Sequence, residues 1–96
     1  MKQIWIVDDD EEMIRAVQLM LKLLDCQSRY FLNARSGSQA LLAGERPDLL
    51  ILDINMPEVS GIDMLEFLRR RRELKDIPIV MPVSYTHLTL PTKRIV

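Results

Sequence analysis

Residues 4–9 are Ile4-Trp5-Ile6-Val7-Asp8-Asp9, an apolar run that stops at two carboxylates. Residues 49–53 repeat the pattern, because Leu49-Leu50-Ile51-Leu52 is followed at once by Asp53. Short runs that are apolar at every position are typical of strands covered by helices on both faces of a parallel sheet. The carboxyl ends of parallel strands meet at one edge, where open α/β sheets bind their ligands. The two stretches therefore predict an α/β fold with an acidic edge.

Apolar runs alternate with helical patterns along the chain, which indicates βαβ units. The spacing predicts strands at 3–7, 28–32, 49–52 and 79–81. It predicts helices at 11–24, 38–43 and 61–74, with Ser36 as the N-cap of the second helix and Gly44 at its end. The expected buried stripe of the first helix is Ile14, Val17, Leu21 and Leu24, and that of the third is Ile62, Leu65 and Leu68.

The bulk composition limits the class of protein. With 96 residues and 48% hydrophobic content, the chain suffices for one small domain. A net charge of −1 gives no sign of a nucleic-acid surface, and no apolar stretch is long enough to span a membrane. The N-terminus leads directly into the first strand, so no signal peptide is expected. One cysteine, Cys26, allows no internal disulfide, which favours a reducing, cytoplasmic compartment.

Five consecutive acids, at positions 8–12, follow the first strand. Acids at the N-terminus of a helix gain only about 0.3–1 kcal/mol each from the helix dipole, so a run of five needs a further explanation. Asp8 and Asp9 lie where the strand stops and are the candidate functional pair. Asp10, Glu11 and Glu12 are assigned to the solvated first turn of the helix. A cluster of ionised carboxylates favours a hard cation, and Mg²⁺ suits oxygen ligands of this kind.

Asp53 has two possible roles, as a helix cap or turn residue or as a functional carboxylate. The segment after it contains Pro57 and leads to Gly61, so it is a loop that Pro57 stiffens. Gly61 permits a backbone angle or a close approach that a side chain would forbid. This setting favours the functional role. Four arginines at 69–72 are instead interpreted as the solvated end of a helix.

Two motifs, Val7-Asp8-Asp9 and Asp53-Ile54-Asn55-Met56-Pro57 followed by Gly61, resemble the receiver domain of bacterial two-component response regulators. The resemblance covers residues 1–81. It implies a flavodoxin-like, doubly wound parallel sheet of order 2-1-3-4-5. It also implies a phospho-acceptor, which would be Asp53, and a Mg²⁺ ion. Asp9 would bind the ion directly, Asp8 mainly through water, and Asn55 through its backbone carbonyl. Asp53 would be the remaining metal ligand.

The same resemblance implies the partners. A histidine kinase or a phosphotransfer protein would donate the phosphoryl group, and an output domain or partner protein would receive the signal. The domain itself would not be an enzyme, would not contact nucleic acid and would not enter a membrane.

The resemblance stops after Met81. After Met81 the family has a hydrophobic residue and then Thr or Ser, whereas this chain has Pro82 and then Val83, and Ser84 is one position late. Residues 83–92 equal the in-frame translation of a transposon-type sequencing adapter, GTC TCT TAT ACA CAT CTG ACG CTG CCG ACG. We therefore expect 1–81 to be a partial receiver, in the order 2-1-3-4 without its fifth strand and last helices. Residues 82–96 are expected to be a non-native tail.

Other functions compete with phosphoryl acceptance. One is a receiver-like interaction module that works without phosphate, and another is a non-functional fragment. A third is a phosphotransfer enzyme of the haloacid dehalogenase type, which would need a second aspartate two residues after the nucleophile. Asn55 stands at that place.

Overall fold

The structure is a computed structural model that describes residues 2–54 and 60–82. Its strands are β1 (Gln3–Val7), β2 (Gln27–Phe31), β3 (Leu49–Leu52) and β4 (Ile79–Val80). Its helices are α1 (Glu11–Leu23), α2 (Ala34–Leu42) and α3 (Gly61–Arg70). All strand pairs are parallel, in the order β2-β1-β3-β4. The predicted fold class and strand order are confirmed, and β1 and β3 have the predicted bounds.

The register of the sheet brings its acidic strand ends level. Val7, the last residue of β1, pairs with Phe31 on one side and Leu52 on the other. Backbone hydrogen bonds continue this register by one residue, because the Asp8 amide donates to the Phe31 carbonyl at 3.0 Å. The Asp53 amide donates to the Val7 carbonyl at 2.9 Å. Both aspartates are therefore fixed by the sheet rather than by a loose loop.

Helix α1 begins where the sequence predicts, but one residue of its predicted stripe was wrong. Ile14 and Leu21 are buried and Val17 is half-buried. Leu24 is the C-cap residue and its side chain is 70% exposed. At about 100° per residue, Leu24 is rotated about 60° away from Leu21, which turns it off the face that meets the sheet.

Helix α2 begins four residues earlier than predicted. Asn33, not Ser36, is its N-cap, and the Asn33 carboxamide oxygen accepts from the Ser36 amide at 2.8 Å. Gly37 lies inside the helix, where it allows close packing: an added Cβ would lie 3.1 Å from Val7 Cγ2. Gly44 ends the helix as predicted, with a φ of 104° that favours glycine.

Helix α3 ends at Arg70 rather than at residue 74, because Arg71 is extended. Its buried stripe was partly wrong, since Ile62 is 45% exposed whereas Met64 and Leu68 are buried. Positions 64 and 68 are four residues apart and face the same side of a helix, and Ile62 points elsewhere. Leu74 is still fully buried, although it lies in the turns after the helix.

The core has two parts, one on each face of the sheet. On the face covered by α2 and α3, the buried cluster is Trp5, Val7, Phe31, Ala34, Ala40, Leu41, Leu50, Leu52, Met64, Leu68, Leu74 and Ile77. On the α1 face, the buried cluster is Ile4, Ile6, Ile14 and Leu21. Trp5 is a core residue at 4% exposure. In the described parts of the chain, no helix has the length and apolar character needed to cross a membrane.

Candidate metal centre

Three carboxylates lie together at the carboxyl edge of the sheet. Asp8 and Asp9 follow β1, Asp53 follows β3, and one carboxylate oxygen from each lies within 4.8 Å of the other two. Asp8 and Asp53 are half-buried and Asp9 is exposed. The level ends of two neighbouring parallel strands produce this grouping, which needs no contribution from the loop after Asp53. Asn55, the fourth predicted ligand, lies outside the described residues.

The raised pKa of Asp8 shows that its negative charge is unfavourable at this position. Burial raises the pKa of Asp8 above its ordinary value, and repulsion from Asp53, Asp9 and Asp10 raises it further. A hydrogen bond from the Asp10 amide to Asp8 Oδ1, at 2.9 Å, acts in the opposite direction. Asp8 is thus a carboxylate whose charge is disfavoured by its surroundings, and a bound cation would relieve that penalty.

The donor set fits Mg²⁺. Two ligand oxygens at about 2.0–2.1 Å from one Mg²⁺ lie at most about 4.2 Å apart. The carboxylate oxygens of the three aspartates lie within 4.8 Å of one another, which is close to this limit. A water between an acid and the ion also fits this spacing, because Mg²⁺ usually keeps several waters. Carboxylate oxygens are also the hard ligands that this cation prefers.

Asp10 has a structural role that the sequence analysis missed. It is the N-cap of α1, and its Oδ1 accepts from the Glu12 amide at 3.0 Å and the Met13 amide at 3.3 Å. Its own amide binds Asp8, so one residue both starts the helix and orients an acid of the site. The signal was available, since aspartate directly before a helix is a preferred cap. This cap was missed in the sequence analysis because Asp10 is one of five consecutive acids.

A cavity of about 130 Å³ lies beside the acids, on the α1 face. Its apolar walls are Ile6, Met13, Val17, Ile51 and Pro82, and Asp8 and Asp53 also line it. Nothing in the sequence pattern predicted this space, because it depends on the distance between α1 and the exit from β4.

The chain matches the family model of the response regulator receiver domain over residues 4–93. This match runs into the predicted tail, and the origin of residues 82–96 stays a prediction. Among curated proteins, the polar-differentiation response regulators DivK of Brucella ovis and Brucella abortus are similar. Each is 35% identical over 86 residues, which cover 88% of this chain and 68% of the relative.

Solved structures of receiver domains are similar in fold. The N-terminal domain of a response regulator receiver protein from Methanoculleus marisnigri has a TM-score of 0.79 at 26% identity, covering 93% of this chain and 75% of that one. The signal receiver domain of a signal transduction histidine kinase from Syntrophus aciditrophicus has a TM-score of 0.79 at 25% identity, covering 93% and 69%.

Proposed function

This chain belongs to the family of response regulator receiver domains, and we propose that its Asp53 accepts a phosphoryl group in a Mg²⁺-dependent reaction. The donor is a histidine kinase or a phosphotransfer protein. The observation that carries the proposal is the grouping of Asp8, Asp9 and Asp53 with their carboxylate oxygens within 4.8 Å. A carboxylate nucleophile beside a cation-binding pair is the arrangement that phosphoryl transfer to an aspartate requires.

The transfer forms one bond and breaks another. An Asp53 carboxylate oxygen attacks the phosphorus atom, the new P–O bond gives an acyl phosphate, and the P–N bond of the phosphohistidine breaks. The leaving imidazole nitrogen keeps the electron pair of that bond and takes up a proton. Bound Mg²⁺ would neutralise charge on the phosphoryl oxygens during the transfer.

Asp8, Asp9, Asp53 and the backbone carbonyl of Asn55 are the proposed metal ligands. The exposure of Asp9 supports direct binding, because an open carboxylate reaches a hydrated ion without displacing protein atoms. Asp8 is more buried and holds the Asp10 amide with one oxygen, which supports a contact through water. Asp53 lies beside this pair at the same edge of the sheet.

The domain acts, on this proposal, as a signalling module rather than as an enzyme with a separate substrate. The acyl phosphate changes its surface, and an output domain or partner protein responds to that change. A reducing, cytoplasmic location suits a chain with a single half-buried cysteine.

The first prediction tests the acceptor. We expect the chain, incubated with acetyl phosphate and Mg²⁺, to gain one phosphoryl group on Asp53, detected as a mass increase and located by peptide mapping. Excess chelator should abolish the gain. Asp53→Asn should lose it, because an amide is not a nucleophile of this kind.

The matched control is Asp25→Asn. Asp25 is an exposed acid in the left-handed region, with a φ of 62°, and asparagine tolerates that conformation equally well. Labelling of Asp53→Asn at the level of Asp25→Asn would refute the assignment. A chain that binds partners but takes no phosphate would instead favour the phosphate-independent module, and Val83 in place of a hydroxyl residue is the feature in its favour.

A further inference from the structure

Gly61, the first residue of α3, lies against the backbone of Asp53. A Cβ added to Gly61 would be 2.8 Å from the carbonyl carbon of Asp53, 2.9 Å from Ile54 Cα, and closer still to the Asp53 carbonyl oxygen. These are backbone atoms, so no flexible side chain yields to make room. Gly61 also holds Ile54, the residue after Asp53, because the Gly61 amide donates a hydrogen bond to the Ile54 carbonyl at 3.0 Å.

The backbone of Asp53 is therefore held from two sides. Its amide is fixed to β1 through the Val7 carbonyl at 2.9 Å, and its carbonyl side is fixed by the contact with Gly61. Ser60 secures the start of α3 in turn, because Ser60 Oγ accepts from the Asp63 amide at 3.2 Å. The helix start and the strand end thus form one rigid joint, and the Asp53 carboxylate projects from it.

We propose that Gly61 is a positioning residue for the Asp53 carboxylate, acting through the close approach of its backbone to the Asp53–Ile54 peptide. The inference rests on the proposed role of Asp53 as phospho-acceptor. In-line attack needs the carboxylate oxygen about 3–3.5 Å from phosphorus, and a misplacement of about 1 Å costs about 10²-fold in rate. A methyl group at residue 61 forces a movement of that size in the peptide that carries Asp53.

The test compares Gly61→Ala with Gly44→Ala. Gly44 also resists substitution, because its φ is 104°, but an added Cβ there meets nothing within 4 Å. Gly44 follows the C-terminus of α2, the helix that connects the parallel strands β2 and β3 and runs antiparallel to them. Gly44 therefore lies at the amino-terminal edge of the sheet, and Asp53 lies at the carboxyl edge. Both variants are measured well below their melting temperatures, so that lost stability alone does not lower the rate.

The expected result is specific to position 61. We expect the maximum rate of phosphorylation from acetyl phosphate, at saturating Mg²⁺, to fall about 10- to 100-fold in Gly61→Ala. The donor concentration that gives half the maximum should change little, because the misplaced group is the nucleophile. Gly44→Ala should keep the parent rate within about twofold. Equal losses in the two variants, or an unchanged rate in Gly61→Ala, would overturn the proposal.

A measurement on the unsubstituted chain covers the case in which Gly61→Ala does not fold. Hydrogen exchange followed by NMR should show the Gly61 amide as strongly protected as the Asp53 amide, since both donate to backbone carbonyls. An unprotected Gly61 amide would refute the joint. If the parent takes no phosphate while its Gly61 amide is protected, the proposed function fails and the positioning role falls with it. A parent that is phosphorylated beside an equally active Gly61→Ala refutes the positioning role alone.

Discussion

The two faces of the sheet are covered to very different degrees. On the α2/α3 face, the buried cluster includes residues from both helices and from three strands, and Leu50, Leu52 and Leu68 have no exposed surface. On the α1 face, the cluster holds four buried residues. Half-buried Val17, Cys26, Leu49 and Ile51 complete it.

The geometry of the layers explains the difference. Four strands spaced about 4.8 Å apart form a sheet roughly 15 Å wide, whereas one helix with its side chains is about 10–12 Å across. Two helices therefore cover one face, and α1 alone leaves β3 and β4 partly open on the other. The 130 Å³ cavity beside Ile51 and Pro82 lies in this open part, and Val80 is 47% exposed.

Helix α1 carries apolar residues toward the open part of its face. Met13, Met20 and Leu24 are 51%, 59% and 70% exposed, and on a helix all three fall on the flank beside half-buried Val17. A surface helix normally has one apolar stripe facing the core. The second apolar flank shows that α1 carries more apolar surface than the described residues bury.

The largest expected effect contrasts a buried leucine of α3 with an exposed leucine of α1. Leu68→Ala should lower the free energy of unfolding by about 2–5 kcal/mol, since Leu68 is fully buried and alanine leaves a cavity. Leu23→Ala, in α1, should change it by less than about 0.5 kcal/mol, because that side chain is 79% exposed. Urea unfolding followed by circular dichroism gives both values. A similar loss in the two variants would show that the Leu23 side chain is packed rather than exposed.

A smaller effect concerns the exposed apolar flank of α1, through which we expect the chain to self-associate weakly. Met20→Glu should weaken this association about tenfold, because burying the exposed part of a methionine is worth about 1.4 kcal/mol. Gln39→Glu is the control, since it makes the same change in net charge at an exposed position on α2. Sedimentation equilibrium measures the association of each variant. If the two substitutions reduce it equally, net charge rather than the apolar flank is responsible.

The comparison of faces also shows which features the sequence determined. Strands β1 and β3 were predicted with their observed bounds, because runs that are apolar at every position and stop at an acid leave little choice. The grouping of Asp8, Asp9 and Asp53 follows from those same ends. The N-cap of α2 was predicted wrongly because Asn33 and Ser36 both favour caps, and the Ser36 amide is the donor to Asn33 in the structure.

Features that depend on the distance between elements were out of reach of the sequence. The exposure of Ile62 and Leu24 depends on how each helix is rotated over the sheet, and a rotation of about 60° moves a side chain from core to solvent. The contact of Gly61 with the Asp53 backbone was predicted only as a permitted close approach. Which atoms come close required coordinates.

The smallest expected effect lies at Asp8, where the two faces meet at the acidic edge. Its pKa is raised in the folded chain, first by burial and then by repulsion from Asp53, so the folded state binds the proton more tightly than the unfolded state does. The free energy of unfolding is therefore undiminished at a pH well below 3.8, the ordinary pKa of this carboxyl group. It falls as the pH rises toward the pKa of Asp8 in the folded chain. At pH 7 Asp8 is ionised, and the full destabilisation by its charge is present.

Asp8→Asn removes that charge and keeps an oxygen that accepts from the Asp10 amide. We expect the melting temperature of Asp8→Asn to exceed that of the parent at pH 7, by a small margin because solvent screens a half-exposed group, and to equal it at about pH 3. Asp25→Asn controls for the loss of an exposed acid. Added Mg²⁺ should raise the melting temperature of the parent and narrow the difference, since a bound cation relieves the repulsion that Asp8→Asn relieves by neutralisation. A parent that is the more stable of the two at pH 7 without Mg²⁺ would show that the Asp8 charge is stabilised in the fold.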